Sequence, residues 1–365
     1  MQACYTGEVL PQVTRAGTWF LRSGIQQPDG GVARYYRVDQ ERNLPVSIEI
    51  TGYTVSAHVY LHSVTTDERR EHLDRASAAA RFLVHTAWDR ASQTMPFELD
   101  PAAHTYFFDC GIVVRGLLSA WRAMGAEEFL DVAAALGKSM ATDFAAEDDY
   151  HPILSLPGKQ PLERDALNWS RSPGCYQLKA AMAWWDLWEA TGDAQFRDLY
   201  DRVLEDSLRT WVDFLPGHPN PAKVVDRLHA FLYFLEGLLP RAAEPRCAAA
   251  LRSGIPIAAT HSRSLAPEFE RSDVYAQLLR IRLYADGAGV AALDRAAAHF
   301  EAQRLAGFQS SDSDPRVDGG YTFGRLRGSC LPHVNPVSTA FAIQALALWE
   351  AYRTGAAQPH RHLLI

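Results

Sequence analysis

The sequence lacks the features that mark several broad functional classes. Acidic residues outnumber basic ones, 43 against 36, and the formal net charge is −7. Because neutralising phosphates requires a basic face, this balance argues against a general nucleic-acid binder. No apolar run reaches the length of about 18 residues that a membrane-spanning helix needs, so we predict no span.

Cysteine is also scarce and carries no pattern. The five cysteines are widely spaced and form no CxxC pair: Cys4, Cys110, Cys175, Cys247 and Cys330. Neither a disulfide framework nor a zinc knuckle is indicated. The opening stretch, MQACYTGEVLPQVTRAG, has no basic segment followed by an apolar one. We therefore expect no secretory signal and a cytoplasmic protein with reduced thiols.

Sequence signatures of cofactor and metal sites are missing as well. There is no P-loop, no GxSxG and no glycine-rich dinucleotide loop after a strand. Cys330 and His333 lie three positions apart, but a tetrahedral zinc site needs three protein ligands and Cys175 is remote in sequence. We predict no cofactor and no metal.

Six strongly apolar segments are present instead. They start at Thr51, Asp109, Cys175, Asp226, Ser272 and Val337. Runs such as AFLYFLEGLL are apolar on every side, which is typical of a helix buried on both faces. Four segments are followed by a glycine suited to a left-handed C-cap: Gly125, Gly192, Gly287 and Gly355.

Amphipathic segments lie before and between these runs. They cover Val13–Gly24, Asp67–Thr86, Glu127–Phe144, Ala194–Phe214, about Arg241–Ser253, and Ala291–Ala306. Their apolar residues recur at helical spacing, so each covers an inner layer while facing water. The alternation predicts an all-α fold, an (α/α)6 toroid of about six helical hairpins that forms one domain over residues 1–365.

The loops that lead into the inner helices carry turn signals. QPDGGVARYY (Gln27–Tyr36) and VDGGYTFGRLRGSC (Val317–Cys330) combine glycine pairs with alternating aromatic residues. Such segments predict tight turns or short β-hairpins. We expect these hairpins at the mouth, the end of the ring where the inner helices begin.

This organisation resembles the α/α-toroid proteins: six-hairpin glycosidases, polysaccharide lyases, sugar epimerases and terpenoid cyclases. EITGY (Glu49–Tyr53), FFDCG (Phe107–Gly111) and HVNPVSTAFAIQAL (His333–Leu346) are further similar to toroid proteins associated with bacterial polysaccharide biosynthesis. The resemblance covers nearly the whole chain. It implies action on a carbohydrate at the mouth and polysaccharide-assembly proteins as partners.

The mouth of such a ring has a definite electrostatic character. Inner helices that alternate with outer ones run in one direction, so their N-termini gather at one end. Each N-terminus presents unpaired N–H groups and about half a positive charge. An acidic saccharide is therefore the favoured ligand.

Five residues near the predicted helix starts are candidates for catalysis: Glu49, Tyr53, Asp109, His229 and His333. Glu49 and Asp109 suit the acid and base of an inverting glycosidase. Tyr53, His229 or His333 suits the base of a lyase or epimerase, which removes a proton beside a carboxylate. Hydrolysis, β-elimination and epimerisation all stay open.

Other polar and aromatic residues in the mouth segments are candidates for substrate binding: Arg34, Tyr36, Arg171, Tyr176, Gln177, Arg271, Asp273, Tyr321 and Asn335. The acidic residues, the aromatic residues and His229 have structural alternatives, and the aromatic rings suit core packing. Asp226 and Asp273 suit helix N-caps, and His229 suits a satisfied core histidine.

The sequence thus favours a carbohydrate-active enzyme that acts on an acidic poly- or oligosaccharide. A non-catalytic glycan-binding or scaffold protein of a polysaccharide biosynthesis system is the first alternative, because a fold alone does not imply activity. A terpenoid-cyclase-like enzyme is the second, although the aspartate-rich DxDD signature is absent.

Overall fold

A computed structural model describes residues 10–266, 268–356 and 360–365. Cys4 and most of the stretch on which the signal-peptide prediction rests lie outside these ranges. The inner helices are α2 (Ile48–Val64), α4 (Phe107–Met124), α6 (Gln177–Thr191), α8 (Pro221–Gly237), α10 (Ser272–Gly287) and α12 (Pro336–Thr354). The outer helices are α1 (Pro11–Arg22), α3 (Arg69–Phe82), α5 (Glu127–Asp143), α7 (Ala194–Thr210), α9 (Pro245–Leu265) and α11 (Arg295–Ala306).

The inner helices form a closed ring. Each even-numbered helix packs against the next one, and α12 packs against α2. The odd-numbered helices cover this ring from outside, α3 against α2 and α1 against α12, for example. The predicted (α/α)6 toroid is confirmed, and α2 and α8 lie on opposite sides of the ring.

Three of the four predicted glycine caps are confirmed. Gly125, Gly192 and Gly355 end α4, α6 and α12 with φ of 70°, 76° and 70°. The prediction for Gly287 is wrong, because this residue is the last one of α10. Gly289, with φ of 68°, adopts the left-handed conformation after it.

Two predicted helix boundaries are also wrong. Helix α8 begins at Pro221 rather than Asp226, because Asn220 accepts from the Ala222 N–H and proline suits the first helical position. Asp226 is therefore an interior residue of α8 and not its cap. The outer helix placed at Arg241–Ser253 is α9, which runs from Pro245 to Leu265.

Short strands lie in the loops at the mouth, as predicted. They are β1 (Tyr36–Arg37), β2 (Arg42–Asn43), β3 (His104–Tyr106), β4 (Ile153–Ser155), β5 (Phe269–Arg271), β6 (Gly324–Leu326), β7 (Ser329–Cys330) and β8 (His333–Val334). They pair antiparallel in the orders β2-β1-β8, β3-β4 and β5-β6-β7. Strands β3, β5 and β8 run directly into α4, α10 and α12, so they fix the first turns of those helices.

Close backbone contact brings α2 and α4 together. A Cβ on Gly116 of α4 would lie 2.5 Å from the carbonyl oxygen of Gly52 in α2. The next interface is similarly tight, since a Cβ on Gly111 would lie 2.6 Å from the Ala180 Cα in α6. Gly52 and Gly116 thus set the spacing between the helices that carry Glu49 and Asp109, and Gly111 sets the spacing between α4 and α6.

Within the described part of the chain, every helix is too short or too polar to cross a membrane.

Candidate active site

A pair of tyrosines spans the ring below the mouth. Tyr53 of α2 donates its hydroxyl hydrogen bond to the Tyr233 hydroxyl of α8, with 3.0 Å between the oxygens. Both side chains are buried, with 2% and 3% of each residue exposed. Because α2 and α8 face each other across the ring, the pair forms a floor beneath the mouth.

One wall above this floor carries two carboxyl groups. Glu49 lies in the first turn of α2, after the Ser47 cap, and is partly buried. Asp109 lies in the first turn of α4 and is 8% exposed. Its Oδ2 atom is buried without a hydrogen-bond partner among the described residues. A buried carboxyl oxygen without a partner is available to a ligand.

Both carboxyls have a pKa above the ordinary value for their residue type. Burial raises the pKa of Glu49 to about 7, against the Arg34 guanidinium, which lowers it. Burial, and next the negative charge of Glu49, raises the pKa of Asp109 well above its usual range. Since two adjacent carboxylates repel each other, the pair retains a proton near neutral pH and can donate it.

Arg34 and aromatic rings flank this carboxyl wall. The Arg34 Nη2 lies 2.5 Å from Oε1 of Glu98, and its guanidinium carbon lies 4.9 Å from the centre of the Phe97 ring. Phe97 in turn lies 4.7 Å from Tyr106, centroid to centroid. The pKa of Tyr106 is raised by burial and then by the charge of Asp109. The five side chains thus form one rim.

The opposite wall carries a histidine with a defined tautomer. Nδ1 of His229 lies 2.7 Å from Oε1 of Gln277 and 3.6 Å from Oδ2 of Asp273. Both oxygens can only accept, so Nδ1 carries the proton and Nε2 keeps its lone pair. Burial lowers the pKa of His229 to about 4, against Asp273, which raises it. The imidazole is therefore neutral near pH 7 and able to accept a proton.

An ion-pair chain stands behind this histidine. Arg271 donates to Asp273 through Nε at 3.0 Å and Nη2 at 2.6 Å, and to Asp226 through Nη1 at 2.9 Å. Burial opposes ionisation of Asp273, but the Arg271 guanidinium outweighs it and lowers the pKa of that carboxyl. Arg271 also lies 4.5 Å above the Phe323 ring. These ion pairs keep the Asp273 carboxylate beside Nδ1 of His229.

Aromatic rings continue from the histidine to the outer loop. Tyr233 lies 4.4 Å from His229 and 4.7 Å from Phe108, measured between ring centroids. Phe108 lies 6.3 Å from Tyr176, which lies 5.0 Å from Trp169. Phe108 and Trp169 are only partly buried, so their rings can contact a ligand at the mouth.

His333 lies in a strand at the mouth, whereas His229 lies on the inner helix α8. His333 belongs to β8, is partly buried, and its ring centre lies 4.7 Å from that of Tyr35. Burial and the Arg37 guanidinium lower its pKa. Two cysteines were considered together with His333 as metal ligands. Cys330 is exposed on β7, whereas Cys175 is buried and precedes the first residue of α6.

Several predicted substrate-binding residues already have structural partners. The Gln177 amide donates to the Tyr150 carbonyl and accepts from the Gly174 N–H, and Asn335 caps α12. Tyr176 donates its hydroxyl hydrogen bond to the Ser172 carbonyl at 3.0 Å. Tyr36 and Tyr321 are 2% and 0% exposed. The roles of these residues in substrate binding stay predictions. The hydrogen bonds of Gln177, Tyr176 and Asn335 hold main-chain groups of the mouth segments in position.

Arg171 keeps a buried Nε without a partner among the described residues, while its Nη2 donates to the Glu163 carbonyl at 3.2 Å.

Sequence reasoning missed Tyr233, Gln277 and Phe108. Tyr233 and Gln277 lie inside apolar helical runs, where their polar groups give no separate signal. Their spacing could have found them, because Tyr233 and Gln277 each lie one helical turn beyond His229 and Asp273.

Comparisons with known proteins give a consistent architecture. No protein-family model matches this sequence, and no curated protein matches it. Among solved structures, a sugar epimerase from a ruminal bacterium is similar with a TM-score of 0.71 and 13% identity, over 96% of this chain and 98% of that one.

Two further structures represent other sugar chemistries. A D-mannose isomerase is similar with a TM-score of 0.65 and 10% identity, over 94% of this chain and 97% of that one. A family 76 α-mannanase from Bacteroides thetaiotaomicron is similar with a TM-score of 0.60 and 11% identity, over 95% and 98% of the two chains. At these identities the likeness establishes the shared α/α-toroid fold.

Proposed function

We propose that this chain is a carbohydrate-active enzyme that moves a proton on a sugar, as an epimerase or isomerase does. The observation that carries the proposal is a neutral imidazole, His229, placed across the ring from the carboxyl pair Glu49 and Asp109. The fold likeness to a sugar epimerase and a mannose isomerase supports this reaction class.

The chemistry begins at the carbon beside the sugar carbonyl. Nε2 of His229 takes the proton from this carbon, and the C–H electron pair becomes the C=C bond of an enediol. The carboxyl of Asp109 or Glu49 gives a proton to the carbonyl oxygen as negative charge develops there. We propose that the hydroxyl pair of Tyr53 and Tyr233, which lies below, hydrogen-bonds to a sugar oxygen; its support is the contact between the two hydroxyls under the mouth.

Return of the proton decides the product. Delivery to the same carbon from the opposite face gives the epimer, and delivery to the former carbonyl carbon gives the isomer. In both cases the enediol oxygen that becomes the carbonyl gives its proton to a carboxylate of the Glu49–Asp109 wall. Proton-transfer groups lie on two opposite walls, His229 on one and the carboxyls of Glu49 and Asp109 on the other. Each face of a planar enediol bound between them would therefore meet one such group. His333 on the rim is proposed to bind the sugar and is the second candidate for a base.

Hydrolysis is the second candidate reaction. Its support is the pair of carboxyls with raised pKa on the Glu49 wall and the fold likeness to an α-mannanase. An inverting hydrolase would use one carboxyl as acid and the other to activate water, with about 6.5–9.5 Å between them. The His229 wall would then bind substrate only.

An acidic sugar stays our proposal for the substrate. Its support is the set of inner-helix N-termini at the mouth and the unpaired Nε of Arg171. Arg34 and Arg271 argue for it less, since each already faces a carboxylate. A uronate would also permit β-elimination, with His229 as base. Polysaccharide-assembly partners are proposed on the sequence resemblance, and a cytoplasmic location on the widely spaced cysteines, which indicate no disulfide framework.

The alternatives have different requirements. A terpenoid cyclase needs a deep apolar cavity, whereas the axis of this ring holds Tyr53, Tyr233 and the charged Glu236. A non-catalytic glycan binder would bind the same sugars without product, so it is an outcome of the test below.

The test is an exchange experiment in D₂O. The enzyme is incubated with neutral and acidic sugars, among them cellobiose, mannobiose, mannose, glucuronate and a short polyuronate. Proton NMR follows loss of the signal at the carbon beside the carbonyl, and new reducing ends and ultraviolet absorbance of an unsaturated product are measured in parallel. We expect deuterium incorporation that His229→Asn abolishes. New reducing ends without deuterium would support hydrolysis, and bound sugar without any product would contradict an enzymatic role.

A further inference from the structure

Residues 360–365 enter the ring from the end opposite the mouth. Arg361–Leu363 forms a 3-10 turn, in which Arg361 pairs with Glu189 and with Asp186 at 3.3 Å. Leu364 and Ile365 continue inward and are 2% and 1% exposed. The segment is thus anchored at the far rim and buried at its tip.

Side chains of four inner helices bind the main chain of this segment. Gln344 of α12 donates to the Leu363 carbonyl at 2.6 Å and accepts from the Ile365 N–H at 3.1 Å. Arg115 of α4 donates to the Leu364 carbonyl at 2.8 Å. Lys179 of α6 and Arg280 of α10 donate to the Ile365 carbonyl at 3.0 and 3.2 Å. Main-chain recognition of this kind suits an extended peptide.

The tip completes a buried ionic cluster. Lys179, Glu236 and Arg280 are fully buried, and Glu236 pairs with Arg280 and with Lys179 at 2.9 Å. One carboxylate cannot satisfy all the donors of two cations, and a buried donor without an acceptor is costly. The Ile365 carbonyl supplies an acceptor to both cations, and Arg280 also donates to Oε1 of Gln344 at 3.1 Å.

A chain of contacts leads from the cluster to the floor of the candidate site. The Arg280 guanidinium lies 3.9 Å from the centre of the Phe341 ring, and Phe341 lies 5.4 Å from Tyr53, edge to face. Tyr53 then bonds to Tyr233. Direct contacts therefore connect the tip of the segment to the tyrosine pair.

We propose that the far end of the ring is a socket for an extended peptide, filled by residues 360–365, and that its occupant holds Tyr53 and Tyr233 in place. The socket consists of Arg115, Lys179, Arg280 and Gln344. It recognises main-chain carbonyls and one N–H, together with an apolar tip. This proposal does not depend on which sugar reaction the mouth performs.

The experiment separates the segment from the socket. A variant lacking residues 360–365 is titrated with the hexapeptide His-Arg-His-Leu-Leu-Ile, and the control peptide has the same composition in the order Leu-His-Ile-Arg-Leu-His. Thermal unfolding and peptide fluorescence polarisation report binding. The ¹³Cζ signals of labelled tyrosine, assigned with Tyr53→Phe and Tyr233→Phe, report the floor.

We expect the shortened variant to unfold several degrees lower than the full chain and to show displaced signals for Tyr53 and Tyr233. The native-order peptide should bind saturably and restore both readouts, and the control peptide should not. A shortened variant with unchanged stability and tyrosine signals would overturn the proposal, and so would equal rescue by both peptides.

A full-length variant decides the matter if the shortened one does not fold. In the native chain the Ile365 N–H should be protected from hydrogen exchange by Gln344, and Gln344→Met should increase its exchange rate at least tenfold. Gln195→Met, on the surface of α7, is the matched control and should leave that rate unchanged. Unprotected exchange of Ile365 in the native chain would contradict the socket.

Discussion

Tyr53 and Tyr233 meet hydroxyl to hydroxyl at 3.0 Å, although 180 residues separate them in the chain. The contact requires opposite helices of the ring to agree in height and rotation. It also divides the ring axis into an upper part with Glu49, Asp109 and His229 and a lower part with Glu236. The tyrosine pair is therefore where the two ends of the ring communicate.

The first prediction concerns this pair. Tyr53→Phe and Tyr233→Phe should each lower the free energy of unfolding by about 1–2 kcal/mol, since each leaves a buried hydroxyl without its partner. The double variant should lose less than the sum of the two, which urea unfolding of all four proteins measures. Strict additivity would show that the hydroxyls do not interact.

The second prediction concerns pH and Glu49. The pKa of this carboxyl is about 7 in the folded protein, against 4.5 for an unperturbed glutamate, so the folded state binds more protons between those values. Its contribution to stability is therefore present below about pH 4.5 and is lost as pH rises to about 7. Over that interval Glu49→Gln should become progressively more stable than the native protein. At about pH 7 the difference in unfolding free energy should reach about 1–3 kcal/mol.

Urea unfolding at a series of pH values measures this difference. Glu147→Gln removes an exposed carboxyl and is the matched control, with no expected pH-dependent change. A Glu49→Gln difference that is constant from acid to neutral pH would show that the carboxyl is not perturbed.

The third prediction concerns the partner of His229. Gln277→Glu places a carboxylate against Nδ1 and should raise the pKa of the imidazole, moving the acid limb of kcat/KM upward by about 1–2 pH units. Gln277→Met removes the acceptor and should lower kcat without that upward shift. A pH profile that is the same in all three proteins would remove His229 from the reaction.

The fourth prediction concerns the spacing of α2 and α4. Gly116→Ala places a methyl group 2.5 Å from a backbone oxygen of Gly52, so the helices must separate. We expect a loss of about 2–4 kcal/mol in unfolding free energy together with reduced activity. Gly158→Ala, in an open loop, is the control. Equal stability of both variants would contradict the close approach.

Periodicity and cap residues were sufficient to predict the ring. A helix buried on both sides is apolar all round, and a helix buried on one side is amphipathic, so the two kinds of run identify inner and outer helices. Glycine caps such as Gly125 mark the C-terminal ends of inner helices. Boundaries failed where a second signal competed. Asn220-Pro221 started α8 a turn before Asp226, and Gly289 rather than Gly287 took the left-handed conformation.

Glu49, Asp109 and His229 could be named as candidates because their polar types stand out near helix starts. Their arrangement on two walls could not, since it depends on helix rotation and on contacts between distant segments. The Gln277 acceptor that fixes the His229 tautomer and the Tyr233 partner of Tyr53 come from helix interiors, where the apolar pattern hides them.

The proposed reaction requires the Glu49–Asp109 wall and the His229 wall to act on one sugar. The most direct test is a crystal structure with the reduced, unreactive alcohol of the sugar that exchanges deuterium. We predict that a carboxyl of Glu49 or Asp109 and the Nε2 of His229 both lie within hydrogen-bond distance of that ligand, above the Tyr53–Tyr233 pair. A sugar bound elsewhere, or held by one wall alone, would show that the two walls do not act together.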